Sequence, residues 1–254
     1  MKLESVLITG MSGLIGRAAR ERLEGRYRLK ALNRRNVPGM DTHRADIQDL
    51  EAIEAAFRGM DAVVHLAAKS DSQATWEEVR DSNVIGTYNV FEASRRAGVR
   101  RIVYASSGAT VAGYESVPPY NALVEGRYGE LSESWKILTH ESPTRPPNLY
   151  ACSKVWGEAL ARYFSDAFGI SIICLRIGQV REVDRPVTPR QFSVWCSRRD
   201  IVQMIERSLE APPELRFETF FVTSRNRYSY RDISHGREIL GFEPEDSAED
   251  HRAG

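Results

Sequence analysis

The chain has 254 residues, of which 42% are apolar and 28% charged, enough for one sizeable hydrophobic core. Lys plus Arg and Asp plus Glu both number 35, so no net charge draws the protein to nucleic acid or to an anionic membrane, and we expect neither partner. The three cysteines lack metal-ligand spacing, which predicts reduced thiols. The first apolar stretch is too short for a signal peptide or a membrane span, so we expect a cytoplasmic protein.

Short apolar runs alternate with amphipathic segments along most of the chain. Strands are predicted near residues 6–9, 28–32, 62–66 and 102–105, and helices near 14–23, 50–57 and 83–97. Further along, the pattern predicts helices near 149–168, 199–209 and 230–240, with strands near 170–175 and 217–222. Strands that alternate with helices predict an α/β fold built on a doubly wound parallel sheet of the Rossmann type.

Two unequal parts are predicted along the chain. Residues 1–178 are expected to form the NAD(P)-binding Rossmann domain, and residues 179–254 a small substrate-binding lobe together with the C-terminal elements. The regular pattern is lost at about 114–148, where Pro, Gly, Glu and Ser mix with scattered aromatic residues. Long loops of this kind are commonly lids or binding loops. We therefore expect the insertion, especially residues 121–137, to lie over the opening of the substrate site.

A glycine-rich turn follows the first predicted strand. Its sequence is Gly10-Met11-Ser12-Gly13-Leu14-Ile15-Gly16, at the point where a strand passes into a helix. Glycines there let a pyrophosphate approach the backbone, and the free amides of the helix N-terminus point toward it. This context predicts a dinucleotide site formed by Gly10, Ser12, Gly13, Leu14, Ile15 and Gly16.

The end of the second strand carries Asn33-Arg34-Arg35. Enzymes that use NAD usually hold the adenine ribose with an acidic residue at this place, whereas a guanidinium can bind the 2′-phosphate of NADP. The sequence therefore favours NADP over NAD, with Asn33, Arg34 and Arg35 as cofactor-binding residues. The alternative is a solvated basic turn without a role in binding.

Tyr150 and Lys154 lie four residues apart in a predicted helix, so their side chains share one face. A free tyrosine has a pKa of about 10, and a neighbouring cation stabilises its phenolate and lowers that value. We predict that Tyr150 is a general acid or base, and that Lys154 lowers its pKa and binds the nicotinamide ribose.

These motifs together resemble the extended short-chain dehydrogenase/reductase family, also called the epimerase/dehydratase family. The resemblance rests on the glycine turn, Asp46-Ile47, Leu66-Ala67-Ala68, the stretch Asn83 to Asn89, and the Tyr150/Lys154 pair. It implies cofactor contacts from Asp46, Ile47, Leu66, Ala67, Ala68, Tyr150, Lys154 and Ile177. It also implies a catalytic set of Ser107, Tyr150, Lys154 and Asn83, in which Ser107 binds the reacting oxygen, and a homodimer that uses the helix after Tyr150.

Several of these residues have structural alternatives. Asp46 could be a helix cap, Ala67 and Ala68 could serve close packing, and Asn83 could cap a distortion within its helix. Ser106, next to Ser107, is expected to be structural.

Several stretches are similar to uronate dehydrogenases, which oxidise the anomeric carbon of galacturonate or glucuronate. They include Leu175 to Gly178, Ser193-Val194-Trp195 and the tail from Gly241 to Glu249. The resemblance implies that Arg190 binds the substrate carboxylate and that Ser70 contacts the sugar. The candidate substrate residues are Ser70, Ser107, Gly108, Tyr150, Gln179 and Arg190.

Three positions depart from the usual pattern of those enzymes. Gly108-Ala109 stands where they have Asn-His, and Gln179 stands where they have Ser. The sequence thus predicts an NAD(P)-dependent oxidoreductase that acts on a hydroxyl or carbonyl carbon of a small sugar or sugar acid, with no metal site. An epimerase or dehydratase with tightly bound cofactor and a non-catalytic NAD(P) sensor remain as alternatives.

Overall fold

Seven parallel strands form one sheet in the computed structural model of the protein, which describes residues 3–252. The strands are β1 (Ser5–Thr9), β2 (Arg28–Asn33), β3 (Thr42–Arg44), β4 (Ala62–His65), β5 (Arg101–Ser107), β6 (Ser171–Ile177) and β7 (Phe217–Val222). Their order across the sheet is β3-β2-β1-β4-β5-β6-β7, with every neighbouring pair parallel. The predicted doubly wound parallel sheet is confirmed.

Helices connect these strands and cover both faces of the sheet. They are α1 (Leu14–Leu23), α2 (Leu50–Phe57), α3 (Trp76–Val79), α4 (Gly86–Arg96), α5 (Tyr120–Glu125), α6 (Leu149–Phe168), α7 (Gln191–Val194), α8 (Arg198–Glu210) and α9 (Ser234–Leu240). A π-helical turn at Arg80–Ile85 joins α3 to α4, and a 3-10 segment spans Gly108–Ser116. The helix predicted from residue 83 therefore begins earlier and contains a distortion. Among residues 3–252, no helix has both the length and the apolar character needed to cross a membrane.

The hydrophobic core lies on both sides of the sheet. Successive residues of a strand point to opposite faces, so Val6 and Ile8 of β1 pack against α1 and α8, whereas Leu7 faces α2 and α4. Because strands buried on both faces are mostly apolar, they appear in the sequence as short apolar runs. This arrangement leaves the carboxyl ends of the strands as the edge where loops can build a site.

A third cluster of buried side chains forms a small lobe beside that edge. It joins the insertion to the segment after β7, and its members are Val111, Tyr120, Leu123, Leu138, Val194, Phe221 and Tyr230. The rings of Tyr120 and Tyr230 meet edge to face with centroids 5.4 Å apart. β7 lies within the predicted 179–254 lobe but is the edge strand of the main sheet, so a boundary at residue 178 does not separate the sheet from the lobe.

Candidate active site

A cavity of about 1430 Å³ opens at the carboxyl ends of the strands, where the strand order reverses between β1 and β4. Parallel α/β sheets bind their ligands at this reversal point. The predicted cofactor-binding residues all line it: Gly10, Ser12, Gly13, Leu14, Ile15, Gly16, Asn33, Arg34, Arg35, Asp46, Ile47, Leu66, Ala67, Ala68, Tyr150, Lys154 and Ile177.

The glycine turn forms the floor of one half of the cavity. A Cβ on Gly10 would lie 2.9 Å from the backbone nitrogen of Ala67, and one on Gly16 would lie 2.5 Å from the Gly10 oxygen. Gly10 also has a φ of 71°, which side-chain-bearing residues rarely adopt. Gly13 is the N-cap of α1 and offers no side chain to the first-turn amides. Those amides therefore remain available to an anion, which fits the pyrophosphate of a dinucleotide.

The end of β2 forms the outer part of the same half. Asn33 donates from Nδ2 to the Ser12 hydroxyl over 2.7 Å, and its buried Oδ1 has no hydrogen-bond partner among residues 3–252. Such an orphaned acceptor suits a ribose hydroxyl. Asp46 accepts from the Gln48 amide at 3.1 Å, and the N-cap of α2 is Asp49, so Asp46 is not a helix cap. These features fit a dinucleotide cofactor.

Ser107, Tyr150 and Lys154 meet at the centre of the cavity wall. Ser107 is the last residue of β5, and Asn148 caps α6 by accepting from the Ala151 amide at 2.9 Å, which places Tyr150 in the first helical turn. The Ser107 hydroxyl lies close enough to the Tyr150 phenol to lower the pKa of that phenol. Lys154 lies one turn further along α6, with its Nζ 5.7 Å from the centroid of the Tyr150 ring.

Burial governs the protonation of this group. Burial raises the pKa of Tyr150, and the Ser107 hydroxyl partly opposes that rise. The pKa of Lys154 falls to about 8 because the ammonium is buried, although the carboxylate of Glu158 favours its charge. The Lys154 ammonium donates to the Ala105 carbonyl at 2.8 Å. Burial and Ser107, rather than Lys154, set the direction of the Tyr150 pKa shift. Tyr150 therefore holds its proton at neutral pH and must lose it to act as a base.

Glu158 connects this helix to the neighbouring strands and was missed by the sequence analysis. Its carboxylate accepts from Arg176 at 2.8 and 2.9 Å and from the Ser106 hydroxyl at 2.5 Å, all in the interior. Ser106 thus has the structural place expected of it. No local pattern indicates the Glu158 contacts, because Arg176 and Ser106 come from strands distant in the sequence.

Asn83 does not reach the reacting groups. It is buried in the π-helical turn, donates to the Lys69 carbonyl at 3.0 Å and the Ser153 hydroxyl at 3.0 Å, and accepts from the Lys69 amide at 2.8 Å. Every polar atom of its amide is engaged within the protein, and Asn83 does not line the cavity, so its catalytic role stays a prediction. Asn83 supports a distorted helix, as the structural alternative proposed.

Gly108 also differs from its predicted role. It lies outside the cavity lining, and a Cβ at this position would come within 2.2 Å of the Arg231 Nη1. The Arg231 guanidinium therefore fills the space that a larger residue at 108 would take. Gly108 is a packing position for Arg231 rather than a substrate contact.

The other predicted substrate residues, Ser70, Gln179 and Arg190, line the same cavity. Arg190 is already paired: its Nε and Nη2 donate to the two oxygens of Glu115 at 2.6 and 2.8 Å. Tyr230 donates to the same carboxylate at 2.5 Å. Glu115 and Arg231, which also line the cavity, were not predicted, because neither belongs to a recognisable motif.

The insertion takes a different place from the one predicted. Within the part of the chain that the structure describes, none of residues 121–137 lines the cavity. Leu123 and its neighbours pack into the lobe instead, and only the flanking turns, such as those of Glu115 and Arg145, reach the cavity. Residues 121–137 therefore pack into the lobe, whereas the two ends of the 114–148 insertion contribute to the lining of the cavity.

A separate cluster of possible metal ligands joins His140, Glu218 and His235, whose ligand atoms lie within 4.8 Å of one another. The two imidazole rings are stacked, with centroids 3.9 Å apart and planes 11° from parallel. An imidazole lone pair lies in the plane of its ring, so two nearly parallel rings cannot both point at one ion. The cluster as arranged does not form a metal centre.

Comparison with known proteins identifies the family. Residues 6–181 match the NAD dependent epimerase/dehydratase family. The chain belongs to this family. The resemblance inferred from the sequence is thereby confirmed, together with the expectation of an oxidoreductase.

Three similar proteins match almost the whole chain. An L-arabinose 1-dehydrogenase (NAD(P)(+)) of Haloferax volcanii is 31% identical and matches 96% of this chain and 97% of its own length. A uronate dehydrogenase of Pseudomonas putida is 32% identical, and the match covers 98% of this chain and 86% of that protein. The crystal structure of uronate dehydrogenase from Agrobacterium tumefaciens aligns with a TM-score of 0.83 at 32% identity, covering 98% of this chain and 87% of that one.

Proposed function

We propose that this chain is an NAD(P)-dependent dehydrogenase that oxidises a hydroxyl group of a sugar. The observation that carries the proposal is the meeting of Ser107, Tyr150 and Lys154 between the glycine turn and the half of the cavity that contains Arg190. One half of the cavity fits a dinucleotide and the other is lined by polar side chains. The similarity to L-arabinose and uronate dehydrogenases supports a sugar as the substrate.

The reaction separates a hydride from a proton. The oxidised nicotinamide cofactor supplies the acceptor for the hydride that leaves the carbon bearing the hydroxyl group. Ser107 holds the hydroxyl oxygen, and Tyr150, once its phenol has given up its own proton to solvent, takes the hydroxyl proton as the carbonyl forms. Lys154 lies one helical turn from Tyr150 and would bind the nicotinamide ribose of the cofactor. In the reverse direction, Tyr150 returns the proton to the carbonyl oxygen.

The finer choice of cofactor is also part of the proposal. Both NAD and NADP share the pyrophosphate that suits the glycine turn, and they differ by the 2′-phosphate. Arg34 and Arg35 are exposed at the outer end of the cavity, where such a phosphate would lie. We therefore propose a preference for NADP.

Replacement of Tyr150 by Phe tests the proposal. We expect turnover of sugar to fall by about 10²- to 10⁴-fold, because the ring remains while the transferable proton is lost. Binding of the reduced cofactor, followed by its fluorescence, should change little. Tyr163→Phe on the exposed face of the same helix is the matched control. Turnover within a few-fold of wild type in Tyr150→Phe would contradict the assignment.

The same assay separates the alternative functions. A dehydrogenase forms reduced cofactor in proportion to the sugar oxidised. An epimerase or dehydratase returns the hydride within each turnover and retains its cofactor, so it would show product without net reduction. A sensor would bind cofactor and convert no sugar.

A further inference from the structure

The guanidinium that the sequence offers to a substrate carboxylate already holds a carboxylate of the protein. Arg190 binds Glu115 through two hydrogen bonds of 2.6 and 2.8 Å, with both oxygens engaged. This is the bidentate arrangement that a guanidinium would make with a uronate. The Arg190 side chain is 38% exposed, whereas that of Glu115 is only 15% exposed. The pair forms a wall of the cavity.

Glu115 is held in its charged form. Burial favours the neutral acid and raises its pKa, but Arg190, with Arg231 and the Tyr230 hydroxyl, lowers the pKa below its usual value. At neutral pH the pair is therefore an ion pair. Any further anion placed on Arg190 would face the negative charge of Glu115.

Arg190, Glu115 and Arg231 together carry one positive charge more than they carry negative charge. The Arg231 guanidinium, however, is poorly placed to bind a ligand. Its side chain is only 2% exposed, and its Nη2 donates to the Gly108 carbonyl at 3.0 Å and the Tyr230 hydroxyl at 3.1 Å. The same nitrogen lies 3.8 Å from the carboxylate of Glu115. The exposed cation of this group, Arg190, is thus the one that Glu115 neutralises.

We infer that Glu115 is a specificity-determining residue that takes the place of a substrate carboxylate on Arg190, so that the pocket selects neutral sugars over uronates. The inference rests on the proposed function. A hydroxyl group can accept from Arg190 or donate to Glu115 without displacing either, because hydroxyls do both. A uronate must either displace Glu115 or lie beside it, and like charges placed together in a partly buried site are costly.

Three sugars isolate this effect. L-Arabinose, D-galactose and D-galacturonate share the configuration of ring carbons 2 to 4 and differ at carbon 5, which carries hydrogen, hydroxymethyl or carboxylate. For the wild type, we expect kcat/KM for the better neutral sugar to exceed that for galacturonate by about tenfold or more. The Glu115→Gln variant should raise the galacturonate-to-neutral ratio by about tenfold, because Arg190 is then free to bind the carboxylate.

A control variant and a double variant test whether the change in ratio depends on the Glu115–Arg190 pair. Glu125, at the end of helix α5, has an exposed carboxylate that pairs with Arg127. The Glu125→Gln variant removes that carboxylate and should leave the ratio unchanged. The double variant Glu115→Gln/Arg190→Gln should lose the gain for galacturonate, since the freed cation is also removed. A wild type that prefers galacturonate would overturn the inference. An unchanged galacturonate-to-neutral ratio in Glu115→Gln would also overturn the inference, but the proposed oxidation of a sugar would still stand. Failure of all three sugars to reduce either cofactor would overturn the proposed function and the inference together.

Discussion

Asn33, Arg34 and Arg35 place one amide and two guanidiniums at the end of β2, where an enzyme that selects NAD usually has a carboxylate. Asn33 points inward to Ser12, whereas both arginines are exposed. Exposure weakens each ionic contact, because water competes for the charge. Even so, a 2′-phosphate bound there would gain a charge-assisted contact that NAD cannot make.

We expect NADP⁺ to bind more tightly than NAD⁺, and Arg34→Ala to weaken NADP⁺ by about 3- to 10-fold. The affinity for NAD⁺ is the internal control and should not change, because NAD⁺ lacks the phosphate. Titration of both cofactors against both proteins measures the four dissociation constants. A wild type that binds NAD⁺ as tightly as NADP⁺ would show that the basic turn is only solvated surface.

Residues differ in how far sequence alone can place them. Tyr150 and Lys154 are one helical turn apart, so their spacing reveals their shared face. The Glu115–Arg190 pair joins positions 75 residues apart, and no periodicity links them. Arg190 was identified by resemblance, yet its partner lies in a 3-10 segment that the sequence predicted only as a loop. Long-range pairs of this kind depend on tertiary packing.

At the level of elements, Asp61 joins the starts of three neighbouring strands. Its carboxylate accepts from the Glu4 and Ser5 amides at 2.8 and 2.9 Å, ahead of and within β1, and from Arg100 Nη2 at 2.6 Å, just before β5. Asp61 itself immediately precedes β4. Burial raises its pKa, but these hydrogen bonds prevail and lower the value to about 2.

This shift predicts a pH-dependent contribution to stability. Because the folded pKa lies below the unfolded value of 3.8, Asp61 stabilises the fold by about 2 kcal/mol above pH 4, and loses this as the pH falls toward 2. We expect Asp61→Asn to lower the free energy of unfolding by about 1 to 2 kcal/mol at pH 7 and by about half as much at pH 3. Urea unfolding at the two pH values measures this.

The control is Asp166→Asn, which removes the carboxylate of an exposed ion pair with Arg162. We expect little change in stability there. An Asp61→Asn variant as stable as wild type at pH 7 would contradict the role of Asp61 at the strand starts.

Elements with strong local patterns were predicted, and weak ones were missed. Strands such as β4 are fully buried and form short apolar runs in the sequence. Such runs can be recognised from the sequence alone. β3 has only three residues and none is buried, so its side chains carry no such pattern. The π-helical turn around Asn83 depends on contacts with Lys69 and Ser153, which are far away in the chain. Its presence therefore could not be read from spacing.

At the scale of the whole molecule, α4 and α6 expose aromatic side chains on neighbouring surfaces. Tyr163 and Phe168 of α6 are 57% and 42% exposed, and Tyr88 of α4 is 45% exposed. Tyr88 and Tyr163 both contact the buried ring of Phe164, and Tyr163 also contacts Phe168, so these exposed aromatic side chains lie near one another. Patches of this kind often mark protein interfaces. The homodimer inferred from family resemblance would cover them.

We expect the wild type to be a homodimer in solution and Tyr163→Asp to shift it toward monomer, because a charge in an apolar interface must be desolvated. Light scattering after size-exclusion chromatography at several concentrations measures the mass. Ile137→Asp, at an exposed apolar position in the insertion, is the control and should remain dimeric. A wild-type protein that is monomeric throughout would contradict the predicted interface.

The contact between Gly108 and Arg231 also limits the routes by which this protein can change over time. A side chain at position 108 would overlap the Arg231 guanidinium, because a Cβ added to Gly108 would lie 2.2 Å from Arg231 Nη1. A substitution at 108 that came first would force a buried charge out of its place, whereas a shorter residue at 231 leaves room for the second change. The two positions are therefore epistatic, and an evolutionary path toward a different sugar pocket runs more easily through 231 before 108.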